Sequence, residues 1–193
     1  MMLYQKNIAE DIPYTIDRSK EDLTLAQITE AGIDFLYGKS KKGFFLMVEG
    51  AHIDKHSHNN LSDEMTEAVT EFDRTVKAML DYAKADGETL VIVTADHETG
   101  GMSLDPAIKK VKKKLVSQEV GKYVTWETKR HTGKPVNVYA FGPGAELFQG
   151  KMENTDIYLK IKNLLKRAFI QGNGEICLCK AGNSFCSDID LFK

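Results

Sequence analysis

F-F-L-M-V at residues 44–48 and L-V-I-V at residues 90–93 are the two unbroken apolar runs that decide the fold. Short runs that are apolar at every position are typical of strands buried on both faces of a parallel sheet. Between them, apolar residues from 65 to 83 recur at steps of mostly three and four, which predicts an amphipathic helix. Strand, helix and strand in this order form a βαβ unit, which we expect to be right-handed.

Weaker patterns extend this unit in both directions. Residues 24–37 have the apolar spacing of a helix, and residues 136–141 read as a third strand. Asp105 and Pro106 open another helix, because an N-cap residue is followed by proline at the first helical position. A last helix begins near Asn154 and Thr155. We therefore expect one domain over residues 1–167 and an unpatterned, cysteine-containing tail over residues 168–193.

The tail holds the three cysteines of the chain, Cys177, Cys179 and Cys186. One disulfide with a spare thiol is an option, although the C-x-C spacing is poor for an unstrained bridge. A zinc knuckle would need a fourth ligand, and no histidine lies nearby. We favour free thiols in a loose tail.

Composition excludes some classes of function. A formal charge of −2 argues against a nucleic-acid binder or a protein that binds anionic membranes, since both usually carry a basic excess. No apolar run is long enough to cross a bilayer. The first six residues lack the charged and apolar segments of a signal peptide.

Metal-ligand chemistry is concentrated in three short stretches, which contain all five histidines of the chain. They are E-G-A-H-I-D-K-H-S-H at 49–58, T-A-D-H-E-T-G-G at 94–101 and R-H-T-G at 130–133. Ligands of open parallel sheets bind beyond the carboxyl ends of the strands, where Glu49 and Asp96 lie. We expect the two strands to be neighbours, about 5 Å apart.

The spacing within these stretches suits a metal centre. If the first loop turns into a helix, Asp54 and His58 stand at i and i+4 and face the same way. His131 would add a third ligand, and three protein ligands with an open position are typical of a catalytic zinc. Asp96 and His97 would begin a second site, with two zinc ions about 4 Å apart.

Each of these residues has a plainer interpretation when taken alone. A single acidic residue or histidine at a strand end is more often a cap or a surface group, and D-x-x-x-H occurs often by chance. The six residues together, each beside a predicted buried strand, favour a metal centre. His52 and His56 lack the helical phase of Asp54 and His58, so we place them behind the ligands or at the pocket rim.

These stretches resemble the alkaline phosphatases. The resemblance rests on G-F-F-L-M-V-E-G-A-H-I-D-K-H-S-H, T-L-V-I-V-T-A-D-H-E-T-G-G and R-H-T-G-K-P-V-N-V-Y-A-F-G-P-G-A, and it runs from about residue 8 to residue 165. It implies a partial three-layer α/β/α sandwich of the alkaline-phosphatase-like type, with a mostly parallel sheet. It also implies hydrolysis of phosphomonoesters by two Zn²⁺ ions and one Mg²⁺ ion.

The resemblance assigns a role to each candidate ligand. Asp54, His58 and His131 would bind the first zinc, which activates water in the family. Asp96 and His97 would bind the second zinc, which activates a serine nucleophile. Glu49 would bind the neighbouring magnesium. Members of the family typically work in the periplasm or outside the cell, but the localisation of this chain stays open.

The chain departs from the family in one large respect. Family members carry their nucleophile in an Asp-Ser-Ala-type motif before the matched region, and no Asp in this chain is followed by Ser. The chain therefore resembles the C-terminal half of an alkaline phosphatase, and we expect it to be a truncated form with little turnover alone. The expected partners are a phosphomonoester substrate and either a second copy of the chain or the N-terminal half.

Two other functions stay open from the sequence. The chain could be a non-catalytic zinc-binding remnant, since the three ligands of the first site are all present. It could also belong to a phosphodiesterase or a sulfatase-type hydrolase of the same superfamily, because these enzymes share the metal framework.

Overall fold

A four-stranded sheet with helices on both faces organises the computed structural model, which describes residues 13–40, 42–105, 121–171 and 175–181. For residue 16 and for the residues after 166, only the backbone is described. The helices are α1 (Leu25–Tyr37), α2 (Ala51–Ser57), α3 (Ser62–Asp86) and α4 (Asn154–Gln171). The strands are β1 (Phe45–Glu49), β2 (Thr89–Ala95), β3 (Glu98–Thr99), β4 (Ser103–Leu104), β5 (Val124–Thr125), β6 (His131–Thr132), β7 (Tyr139–Phe141) and β8 (Glu175–Ala181). Short 3₁₀ turns lie at Thr15–Asp17, Gly121–Tyr123 and Ala145–Phe148.

The helices begin and end where the sequence provides the signals. Thr24 caps α1 with a capping box: its hydroxyl accepts a hydrogen bond from the Gln27 N–H at 3.2 Å, and the Gln27 side chain accepts from the Thr24 N–H at 2.9 Å. At the end of α3, the N–H of Gly87 bonds to the Ala83 carbonyl at 2.9 Å. Both helices therefore agree with the predicted ones to within a few residues.

The strands of the main sheet lie in the order β1-β8-β2-β7. β8 pairs in parallel with β1 on one side and with β2 on the other, while β7 is antiparallel to β2. The sheet is thus mostly parallel, as predicted. Two small antiparallel pairs, β3 with β6 and β4 with β5, lie outside it.

Both faces of the sheet are buried, which explains the unbroken apolar runs. Leu90 and Ile92 of β2 belong to a cluster completed from α4 and the turn before it. Their neighbour Val91 belongs to a second cluster on the opposite face, completed mainly from α3. Alternate residues of one strand thus pack against helices on opposite sides. Full burial of Ile92, which is 0% exposed, contributes about 1.5–3 kcal/mol to folding. The result is the predicted three-layer α/β/α arrangement.

Two features of the sheet differ from the sequence-based expectation. β1 and β2 are not neighbours, because β8 lies between them, so the predicted separation of about 5 Å is wrong. The pattern of apolar residues in a βαβ unit predicts which faces of its strands are buried, but it does not predict which strand pairs with each of them. In addition, the segment predicted to be unpatterned contains the end of α4 and all of β8. Four successive apolar residues, Ile176 to Cys179, give this segment the composition of a strand.

Some predictions fall on residues that the structure does not describe. The helix predicted after Asp105 lies in residues 106–120, and Cys186 follows the last described residue. The division into a domain over 1–167 and a tail over 168–193 stays a prediction. Across the described ranges, none of the helices combines the length and the apolar character required to span a bilayer.

Candidate metal centre

The first pair of candidate ligands lies on and beside the short helix α2, directly after β1. Asp54 and His58 stand at i and i+4, and His58 Nε2 lies 3.5 Å from Asp54 Oδ2. Gly50 allows this helix to start against α3, because a Cβ atom there would lie 2.7 Å from the Phe72 ring. The loop after β1 therefore does turn into a helix, as the prediction for Asp54 and His58 required, and this helix brings the two side chains together.

His131 joins this pair from β6. Its Nε2 lies 2.9 Å from His58 Nε2 and 3.8 Å from Asp54 Oδ1. His58 Nδ1 lies 2.7 Å from the carbonyl oxygen of Lys129, an acceptor only, so the Nδ1 proton is donated to it. In the neutral imidazole, Nε2 is then the nitrogen with a free lone pair, and it faces the centre of the cluster.

Asp96 and His97 follow β2 and reach the same cluster. His97 Nε2 lies 3.4 Å from Asp96 Oδ2, and the His97 ring stacks on the His131 ring with centroids 3.5 Å apart. One ligand atom each from Asp54, His97 and His131 lies within 4.8 Å of the other two. This set shares Asp54 and His131 with the predicted first site. The predicted two sites are thus parts of one continuous cluster.

The distances within the cluster suit a metal ion. With Zn–N and Zn–O bonds of about 2.0–2.1 Å, neighbouring donor atoms of a tetrahedral zinc are about 3.3 Å apart. The Nε2 atoms of His58 and His131 are 2.9 Å apart, and they lie 3.5 Å from Asp54 Oδ2 and 3.8 Å from Asp54 Oδ1, respectively, so these separations bracket this value. His97 Nε2 is buried and makes no hydrogen bond within the described part of the chain. The residues present therefore fit a bound metal.

Exposure increases across the cluster from its carboxylates to its imidazoles. The side chains of Asp54 and Asp96 are each 6% exposed, that of His58 36% and that of His131 48%. Buried carboxylates require a compensating partner or a metal, whereas the exposed imidazoles leave one side open. A cleft of about 850 Å³ is lined by Asp96, His97 and Thr132 among others, so it adjoins the cluster on the side of Asp96 and His97. A small ligand could approach the cluster from this cleft.

Thr99 is a contributor that sequence reasoning missed. Its hydroxyl donates to Asp54 Oδ1 at 2.5 Å and lies 3.2 Å from His97 Nδ1. One side chain thus contacts a ligand from each predicted site. Thr99 also pairs with His131 across the β3–β6 ladder, so its backbone fixes the position of a third ligand. The sequence feature that could have indicated this role is the position of Thr99 two residues after His97 in T-A-D-H-E-T-G-G.

Glu98 and Gly100 hold the loop that carries these residues. The Glu98 carboxylate accepts hydrogen bonds from the Thr132 hydroxyl and from the N–H groups of Gly101 and Met102. Gly100 has φ +90°, and any Cβ atom there would overlap the Trp126 ring. Only glycine combines this backbone conformation with such close contact. Sequence reasoning assigned neither residue a role.

Glu49, His52 and His56 lie away from the ligand cluster. Glu49 ends β1 and lines a separate cavity with Arg18, His52 and Glu71, so its role as a magnesium ligand stays a prediction. His52 and His56 both pack against Tyr14, with ring centroids 4.7 and 4.5 Å from it. Burial lowers the pKa of both histidines below the usual value, which favours their neutral forms. They are residues of α2 that pack against Tyr14.

Comparison with known proteins gives one consistent result. The alkaline phosphatase family model matches residues 7–123 and, in a second match, residues 103–167. Alkaline phosphatase 3 of Bacillus subtilis (strain 168) is 31% identical over an alignment of 217 residues. The alignment covers 80% of this chain and 46% of that protein. The chain therefore spans about half the length of this relative.

Solved structures agree with the sequence matches. Alkaline phosphatase from the Antarctic bacterium TAB5 superimposes with a TM-score of 0.67 at 35% identity, covering 80% of this chain and 43% of that one. A mutant of TAB5 alkaline phosphatase, solved with Mg bound, gives a TM-score of 0.63 at 37% identity, covering 74% of this chain and 41% of that one. The fold of this chain is thus the corresponding part of these larger structures.

Proposed function

Because this chain belongs to the alkaline phosphatase family, we propose that its cluster is the metal-binding half of a zinc-dependent phosphomonoesterase site. One observation carries the proposal: His131, which lies 73 residues after His58, meets Asp54 and His58 of one helical turn at 2.9–3.8 Å. Histidine and carboxylate ligands with an open side are typical of catalytic zinc. The activity would require the part of the family that this chain does not match.

The ligand assignment follows the resemblance and the geometry together. Asp54, His58 and His131 would hold the first zinc, and Asp96 with His97 would contribute to a second. Glu49 would contribute to a magnesium site. Bound metal would supply Lewis-acid charge to the phosphoryl oxygens of a phosphomonoester.

The side chains of this chain would prepare the site in three ways. The Lys129 carbonyl fixes the tautomer of His58, so that Nε2 is available as a ligand. Thr99 orients Asp54 by donating to one of its carboxylate oxygens, which leaves Oδ2 turned toward His58. The half-exposed His131 leaves the cluster open to solvent, and a phosphate group could enter through the cleft beside Asp96 and His97.

Catalysis by the chain alone is expected to be weak. No Asp-Ser dipeptide is present to supply the family nucleophile, and covalent catalysis needs such a group. The non-catalytic alternative, a zinc-binding protein without turnover, uses the same cluster. The phosphodiesterase and sulfatase-type alternatives differ only in the ester that the completed site would accept.

Zinc titration of the intact chain tests the cluster directly. We expect calorimetry to detect zinc binding, and we expect His131→Ala to weaken it by at least about 100-fold, because loss of a ligand should exceed the 10–100-fold cost of losing an outer-shell partner. His52→Ala is the matched control, since it removes a histidine that packs away from the cluster. Absence of zinc binding by the parent chain, or equal losses in the two variants, would contradict the assignment.

A complementation assay tests the catalytic part. The chain would be combined with the N-terminal half of Bacillus subtilis alkaline phosphatase 3 and offered p-nitrophenyl phosphate, bis-p-nitrophenyl phosphate and p-nitrophenyl sulfate. Preferential hydrolysis of the monoester supports the proposal, whereas preference for the diester or the sulfate supports one of the other hydrolases. Zinc binding without hydrolysis of any ester would favour the non-catalytic alternative.

A further inference from the structure

The position of β8 in the main sheet carries a further inference. β1 leads into α2, which carries Asp54, and β2 leads into Asp96 and His97, yet the two strands do not pair with each other. β8 fills the space between them and is parallel to both. Its register runs from Phe45↔Ile176 to Glu49↔Lys180 on one side and from Thr89↔Glu175 to Ala95↔Ala181 on the other.

β8 does not belong to the part of the chain that matches the family. The matched residues end at 167, whereas β8 spans Glu175–Ala181. Within the matched part, β1 and β2 therefore face each other across a slot that is one strand wide. Without an occupant, the backbone N–H and C=O groups on both sides of this slot would lack their ladder partners, which is costly in a buried sheet.

The strand in this slot also determines which residues lie between Glu49 and Ala95, the last residues of β1 and β2. Any parallel strand within it ends between the carboxyl ends of β1 and β2, where Glu49 and the residues before Asp96 lie. β8 places Lys180 in register with Glu49 and Ala181 in register with Ala95. Its own end therefore adds no carboxylate, hydroxyl or imidazole at these register positions. Another strand in the same slot could add such a group.

We propose that β8 is an exchangeable strand, which closes the sheet of the free chain and gives up its slot to a parallel strand of a second polypeptide. The partner is an alkaline phosphatase segment carrying the part of the family that this chain does not match; its identity rests on the function proposed above. β8 follows α4 after only three residues, so it competes from a high effective concentration. Strand exchange would then couple assembly of the sheet to completion of the site.

Hydrogen exchange of the intact chain, followed by mass spectrometry, tests the place of β8. We expect slow exchange of the amides in β8, because a central strand bonds on both sides. On addition of the N-terminal half of Bacillus subtilis alkaline phosphatase 3, β8 should exchange rapidly while β1 and β2 stay protected. Rapid exchange of β8 in the free chain, or continued protection with the partner bound, would overturn the proposal.

A proline variant tests the competition. Leu178→Pro places proline in a central strand, where it removes a ladder hydrogen bond, and should release β8 from its slot. We expect this variant to bind the N-terminal half at least about tenfold more tightly than the parent, with Leu178→Val, which keeps the backbone N–H, as the unchanged control. If Leu178→Pro unfolds the chain, hydrogen exchange of the parent chain with and without the partner still tests whether β8 is displaced.

The outcomes separate this inference from the proposed function. Equal partner affinity of the Leu178→Pro variant and the parent, or no partner binding at all, overturns strand exchange. Binding that displaces β8 but yields no ester hydrolysis supports strand exchange and contradicts the phosphomonoesterase proposal. If β8 were instead displaced by the β8 strand of a second copy, the chain would form dimers, and this result would overturn the proposed identity of the partner.

Discussion

Replacement of Thr99 by valine tests how the ligand cluster is held. Threonine and valine have nearly the same shape, so the change removes the hydroxyl and little else. In the parent this hydroxyl donates to Asp54 Oδ1 at 2.5 Å and also lies 3.2 Å from His97 Nδ1. Because the Asp54 side chain is only 6% exposed, water cannot readily replace the lost donor.

The expected magnitudes follow from this geometry. Loss of a hydrogen bond to a buried charged group costs about 1.5–3 kcal/mol of stability in the metal-free protein. Loss of an outer-shell partner of a metal ligand lowers metal affinity about 10–100-fold, which corresponds to about 1.4–2.8 kcal/mol. The variant should therefore be less stable in urea and should bind zinc more weakly.

Two measurements separate these effects. Competition for zinc with a chromophoric chelator at neutral pH gives the affinity, and urea unfolding of the metal-free chain gives the stability. Thr125→Val is the matched control, because its hydroxyl bonds only to Ser103 among the described residues, on an exposed strand pair. The reasoning fails if the zinc affinity of Thr99→Val stays within twofold of the parent, or if Thr125→Val loses as much.

Two further predictions concern a buried carboxylate away from the cluster and a glycine in the loop beside it. The first is Glu71→Gln. Burial acts to raise the pKa of Glu71, but hydrogen bonds from Arg18, Thr15 and the Leu25 N–H outweigh it and hold this pKa below 4.5. The charged form therefore stabilises the fold above pH 4.5, and this contribution disappears as the pH falls through the folded-state pKa. Urea unfolding at several pH values should show Glu71→Gln about 1–3 kcal/mol less stable than the parent at pH 7, with the difference vanishing in acid; a constant difference would contradict this. The second is Gly100→Ala, which combines a positive φ with overlap on Trp126, whereas Gly150→Ala has the positive φ alone. Gly100→Ala should lose more than about 2 kcal/mol of stability, shift the tryptophan fluorescence and weaken zinc binding, while Gly150→Ala should lose about 1 kcal/mol and keep its zinc affinity.

Much of the fold could be predicted from local sequence signals. The runs at 44–48 and 90–93 are apolar at every position because both faces of the sheet are covered by helices. The steps of three and four in α3 reflect one buried face. Lateral strand order could not be predicted in this way, because a two-sided apolar strand carries no information on its neighbours. β8 was missed for a related reason: its two cysteines were interpreted as thiols of a loose tail rather than as part of an apolar run in a central strand.

The candidate site could be predicted in part. Spacing and resemblance together selected the candidate ligands, whose role stays a prediction, and the i, i+4 relation of Asp54 and His58 brings these two side chains within reach of each other. Spacing places Thr99 close to His97, but it does not predict the hydrogen bond from Thr99 to Asp54, which spans 45 positions along the chain. Glu98 was missed since its carboxylate serves the backbone of its own loop. Such partners become visible only once the loop conformation is known.

The bond between His58 Nδ1 and the carbonyl of Lys129 has a consequence for sequence variation. A main-chain oxygen is present whichever amino acid occupies position 129, and the Lys129 side chain is exposed. Evolution can therefore change the residue at position 129 freely without altering which nitrogen of His58 carries the proton. Substitutions at position 129 would therefore leave the hydrogen bond to His58 unchanged. An insertion or deletion between residues 126 and 131 would instead move the carbonyl oxygen of residue 129 and break its bond to the His58 ring.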